Sequence, residues 1–222
     1  MKKLFIILTA SLFLNFFSIK SWAYDCSEYA GVPEITFSTS YGRLRYDFSK
    51  TNKNITAIAR RHNIIETGLF AQGLALVNVK FNLELMTITA DRGDYDICVV
   101  PRRLNVFIGF NDPVIYISKE LTPDSCEYNV VLRHEQTHQQ INKASLDYFI
   151  PLFQDAVEKI AASIPPQHVT TLSDVSTATD ELTAQYERKI KPLIAVFRDE
   201  LLTEQGKLDN TANYEHENRL CR

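Results

Sequence analysis

Apolar and polar positions run in two different rhythms along this chain. Residues 34–48, "EITFSTSYGRLRYDF", alternate in part and are rich in aromatic and β-branched side chains, as a strand segment requires. Residues 54–73 break the alternation with an apolar stripe of Ile55, Ile58, Ala59 and Ile65, which predicts a helix. Strand character returns at 74–89, 95–109 and 113–118. Asp91 to Asp94, around Gly93, marks one turn, and Asn111-Asp112-Pro113 marks the next. After residue 120 the rhythm becomes helical. Thr122 is the expected N-cap, with Pro123 in the first turn and Asp124 and Glu127 at its positive end. The run has no internal glycine or proline until Pro151, where a second helix is expected to begin and to reach Pro165-Pro166. A third is predicted from Thr177 to Glu204, bent at Pro192 and ended by Gly206. The tail "KLDNTANYEHENRLCR" is polar and reads as irregular, pinned by Cys221. A strand-rich 24–120 followed by a helical 121–222 predicts one α+β domain, because neither half carries a self-sufficient core.

Residues 1–23 change this picture. Lys2 and Lys3 precede a Leu-, Ile- and Phe-rich run that ends in Ser21-Trp22-Ala23, the form of a secretory signal peptide cleaved after Ala23. Asn15 and Lys20 keep the apolar run shorter than the roughly 20 residues of a spanning helix, so no stable membrane insertion is expected after cleavage. The chain carries a formal charge of -3; without the three leader lysines, 21 basic residues face 27 acidic ones. An acidic exported chain with no long basic block argues against a nucleic-acid partner. Cys26, Cys98, Cys126 and Cys221 all lie beyond the leader, and an even count in an oxidising compartment predicts two disulfides. The count alone leaves three pairings open.

The chemistry sits in "VVLRHEQTHQQI", residues 130–141. On a helix, His134 and His138 share a face and can offer two imidazole nitrogens to one Zn2+. Glu135 stands beside that face, where a carboxylate can take a proton from water and pass it to a leaving amine. The segment after His138 lacks the glycine and third histidine of the metzincin pattern, so a further ligand must come from elsewhere. His216 is the favoured third metal ligand. Glu181 or Asp180, early in the last long helix, are alternatives, and Glu217 is a more remote one. A Cys126–Cys221 bridge would bring the tail to the motif helix. Tyr214, beside His216, is the candidate donor to a developing oxyanion, and Val106–Gly109 or Val114–Ile117 could pair with an extended peptide if either forms a sheet edge.

The order of these segments resembles a family of bacterial exported, zincin-type predicted zinc-dependent proteases of largely undefined function. The features are Cys98 leading into "CVVPRRLNVFIGF", then "VIYI", the His134-Glu135-x-x-His138 helix, and a further long helix. The segment "LDNTANYEH", with Asp209, Thr211 and His216, resembles that family's terminal motif, although Glu217 stands where a glycine is expected. The resemblance covers roughly residues 75–222 and implies a zincin-like α+β fold, a periplasmic or secreted location, and zinc-dependent hydrolysis of a peptide or protein substrate. The competing readings are a catalytically inactive zinc-binding envelope or protein-interaction domain, and a zinc-free domain held by disulfides.

Overall fold

The computed structural model describes residues 25–65, 68–93 and 95–221. The expected leader, its cleavage point and Asp94 lie outside them. The elements are β1 (Glu34–Ser40), β2 (Arg45–Asp47), α1 (Asn52–Arg61), β3 (Gly73–Asp91), β4 (Ile97–Ile117), α2 (Cys126–Ala162), β5 (Gln167–Val169), α3 (Val175–Leu208) and α4 (Thr211–Arg219). A mixed five-stranded sheet thus packs against a C-terminal bundle of long helices, the α+β arrangement expected.

β4 is the hub of the sheet. It pairs antiparallel with β3 along one side, and with β1, β2 and β5 along the other. Both stretches expected to offer a free edge, 106–109 and 114–117, are therefore internal. β3 forms one edge of the sheet and β1, β2 and β5 the other, each pairing only with β4 among the described residues. The expected turn at Asn111-Asp112-Pro113 is also absent, because β4 runs straight through it. Three β4 steps (Asn111 to Val114) face two β3 steps (Asn78 to Leu76), so an extra β4 residue bulges there. β1 ends at Gly109 and β2 begins at Val114 in the register, so the proline falls in a gap where no ladder bond is needed.

That bulge has a consequence for the site. Along β4, Leu104, Val106, Ile108 and Phe110 face the helices, and beyond the bulge Ile115 and Ile117 are the fully buried positions. Leu74 and Leu76 pack instead with α1 through Ile55 and Ala59. This leaves the small residues Gly73 and Ala75 against α2.

The helices differ from expectation in continuity. Asp124 has φ +62, so α2 cannot begin before it, and Ser125 rather than Thr122 is the N-cap, accepting from the Tyr128 amide at 3.1 Å. α2 passes through Pro151, and α3 passes through Pro192 and Gly206. Both prolines are exposed, so each lost hydrogen bond falls on the solvent side. The opposite sides are held by buried Phe149, Phe153 and Val157 of α2 and by Ile190, Ile194 and Phe197 of α3. Phe197 meets Phe149 at 5.1 Å, Phe153 at 5.9 Å and Phe110 at 6.2 Å between centroids. One core cluster therefore draws on both halves of the chain. Disulfides join Cys26 to Cys98 and Cys126 to Cys221. The tail is not irregular: Asn210 caps α4 by accepting from the Asn213 amide at 2.9 Å.

Candidate metal centre

The buried rings of His134 and His138 meet edge to face, their centroids 4.7 Å apart. Their Nε2 atoms lie 3.0 Å apart, and Asp209 Oδ1 lies 3.0 Å from the first and 3.1 Å from the second. Asp209 is the C-cap of α3, directly before the Asn210 cap of α4, so the α3–α4 junction delivers it onto α2. These three donor atoms form a near-equilateral triangle. A tetrahedral zinc site, with ligand bonds of about 2.0–2.1 Å, spaces its donors by about 3.3 Å.

The outer hydrogen bonds set the tautomers. His134 Nδ1 donates to Glu217, 3.1 Å from Oε2. His138 Nδ1 donates to Gln205 Oε1, whose amide orientation is fixed because its Nε2 donates to His138 O at 3.1 Å and to Asn142 Oδ1 at 2.6 Å. With both Nδ1 atoms carrying hydrogen, both neutral rings aim Nε2 lone pairs at the point the Asp209 carboxylate also faces. Three acceptors converging on one point need a cation between them. The residues present fit zinc, and the carboxylate and amide behind the rings are the outer support such sites use.

Without a metal the cluster would hold protons instead. Burial opposes charging of His134, but the Asp209 hydrogen bond and the Glu135 and Glu217 carboxylates push its pKa up to about 9. Burial likewise disfavours ionised Asp209, but its hydrogen bonds to both histidines hold it well below the usual carboxylate range. Burial pushes Glu135 up to about 7 against the pull of His138 and His134.

Glu135 lies on the β3 side of α2, where the Ala75 amide faces it and favours its ionised form. It fits only because position 73 is glycine: a Cβ there would stand 2.5 Å from Glu135 Oε1 and 2.7 Å from Val131 Cγ1. Tyr214 stacks on His134 at 5.3 Å between centroids, and its hydroxyl donates to Asp209 Oδ1 at 2.6 Å.

His134, Glu135, His138 and Tyr214 are thus brought together, and His216 is not. It is exposed on α4 and stands outside the donor triangle. The reason is helical. Tyr214 and Glu217, three apart, share the face turned to α2, whereas a residue two positions from Tyr214 is rotated by about 200°. Glu181 and Asp180 are exposed near the far end of α3, where Thr179 meets Thr87. Asp209 and Gln205 are the residues that sequence reasoning did not assign to the site. The local signal for Asp209 is its place beside the Asn210-x-x-Asn213 cap.

Comparison with protein-family models, curated proteins and solved structures gives no match. The geometry therefore carries the assignment. A His134-Glu135-x-x-His138 helix completed by Asp209, within a helical bundle packed on a sheet, is consistent with a zincin-like protease fold and supports a catalytic Zn2+ site. Among the described residues no helix is long and apolar enough to cross a membrane.

Proposed function

We propose that this protein is a zinc-dependent endopeptidase, with His134, His138 and Asp209 as metal ligands, Glu135 as general base and Tyr214 as an accessory donor. The carrying observation is the convergence of two Nε2 lone pairs and one carboxylate on a single point beside a buried glutamate. Zinc, when bound, supplies a Lewis acid that polarises the scissile carbonyl and acidifies water. Glu135 takes the proton of the attacking water and returns it to the leaving nitrogen. A carboxyl lifted towards neutrality by burial is suited to both transfers. The Tyr214 hydroxyl, beside Asp209, is placed to donate to the developing oxyanion. The edge of β3 past Gly73 and Ala75, which pack on Glu135, offers backbone groups to an extended peptide. The leader expected at residues 1–23 and the two disulfides support a periplasmic or secreted location.

The test compares bound zinc and peptide cleavage in the mature protein and its Glu135→Gln form. Retained zinc with turnover reduced about 10²- to 10⁴-fold is expected for loss of a general base. The packing of Glu135 on Gly73, with the Ala75 amide facing its carboxylate, favours a second reading, a zinc-binding domain without turnover. On that reading neither form cleaves any peptide and both retain zinc.

A further inference from the structure

β3 and α3 run past each other in opposite directions. At one end Glu135 packs on Gly73 while Asp209 sits on the two histidines; at the other Thr87 meets Thr179 at 2.9 Å between hydroxyl oxygens. Between these ends the seam opens into a groove of about 630 Å³. Val79, Phe81 and Ile194 give it an apolar lining, Lys191 and Arg198 project from α3, and no carboxylate lines it. Lys80 also borders it, but its ammonium lies over the Phe107 ring, 5.6 Å from the centroid. Neither Lys191 nor Arg198 is ion-paired among the described residues, and both are exposed. In a chain with more acidic than basic residues, this is a local reversal of charge.

The groove is reached by following one strand. Past Ala75, whose amide faces Glu135, β3 has no second strand partner from Leu76 to Phe81 among the described residues, and those six residues span about 20 Å. A peptide paired to that edge beside Glu135 would carry its next residues between β3 and the α3 cations. Lys191 and Arg198 are two helical turns apart, about 10 Å, the reach of two carboxylates a few residues apart on an extended chain.

We propose that the β3–α3 seam is an exosite selecting extended substrates with acidic residues several positions from the scissile bond. It rests on the peptidase reading for its link to cleavage, but the binding it asserts is separable. Main-chain bonds to β3 hold the peptide extended, and Lys191 and Arg198 pair with its carboxylates.

The test uses a short cleavable core peptide, the same core extended by Asp and Glu, the same extension in Asn and Gln, and the acidic extension N-methylated at alternate residues. Cleavage is measured with zinc-loaded protein, and binding by fluorescence anisotropy, for the wild type and the Lys191→Glu/Arg198→Glu variant. Two screened ion pairs predict about three- to tenfold tighter binding of the acidic than of the amide extension. The advantage should vanish in the variant, while cleavage of the short core is unchanged. N-methylation should also remove it, since it blocks strand pairing. Equal binding of acidic and amide peptides, persistence in the charge-reversed variant, or indifference to N-methylation would each overturn the exosite; the last would indicate diffuse attraction of any polyanion. Charge-dependent binding with no cleavage of any peptide would keep the groove and remove the peptidase. Cleavage of the core with no acidic preference would do the reverse.

Discussion

The two ends of the α2–α3 pair are built from the same helices but from opposite materials. At one end Phe149, Phe153, Val157, Ile190 and Phe197 fill the interface with hydrocarbon. At the other, His134, Glu135, His138, Gln139, Asn142 and Ser145 are equally buried, and Gln205 and Asp209 complete the cluster. Burial of an apolar ring is favourable in itself. Burial of polar groups is tolerated only when each has a partner, and here three acceptors face one another. The first end stabilises the fold, and the second spends that stability to hold a site that a cation completes.

Substitutions can separate the two ends. Asp209→Ala should have the largest effect, removing a ligand and lowering zinc affinity by more than the roughly 10- to 100-fold that outer-shell partners cost. Competition with a chromogenic chelator measures it, and the far-UV spectrum should stay unchanged. Phe153→Ala should destabilise the fold by about 3–5 kcal/mol in denaturant titrations yet leave zinc stoichiometry at its wild-type value. A coupled loss of both would break the comparison. Glu217→Gln keeps shape but weakens the acceptor behind His134, so affinity should fall towards the lower end of that same range, about 10-fold.

The smallest effect is a pH dependence confined to the metal-free protein. His134, lifted from 6.5 to about 9 mainly by Asp209 against the cost of burial, holds a proton in the folded state that the unfolded chain releases. Its stabilising contribution is complete below about pH 6.5 and is lost as pH rises to about 9. Glu135, lifted by burial from 4.5 to about 7, adds a loss of the same sign over its own lower window. Thermal melts of metal-free protein should therefore fall across pH about 6.5 to 9. Zinc-loaded protein, with lone pairs in place of that proton, should not follow them.

What was legible in the sequence was local. The spacing of His134 and His138 is a property of one helical turn, and the alternation of β3 is a property of one strand. The bulge at Asn111-Asp112-Pro113 read as a turn because its tolerance of proline comes from a gap between β1 and β2, which only the register reveals. Pro151 read as a break because the aromatic packing that carries α2 through it comes from α3. The third ligand was sought in the right segment, since the Cys126–Cys221 bridge does bring the tail to α2. The residue differed because that segment is helical: Tyr214 and Glu217 turn inward, His216 outward, and the ligand is the carboxylate at the junction before it.

The convergence of His134, His138 and Asp209 on one ion is measured most directly by zinc-edge X-ray absorption on the loaded mature protein. The structure predicts one zinc per chain with two imidazole nitrogens in its shell and the remaining ligands oxygen, and a fall in bound zinc in Asp209→Asn, whose neutral amide oxygen is the weaker ligand. A protein that takes up no zinc, or a shell with a third imidazole and no response to Asp209→Asn, would contradict it.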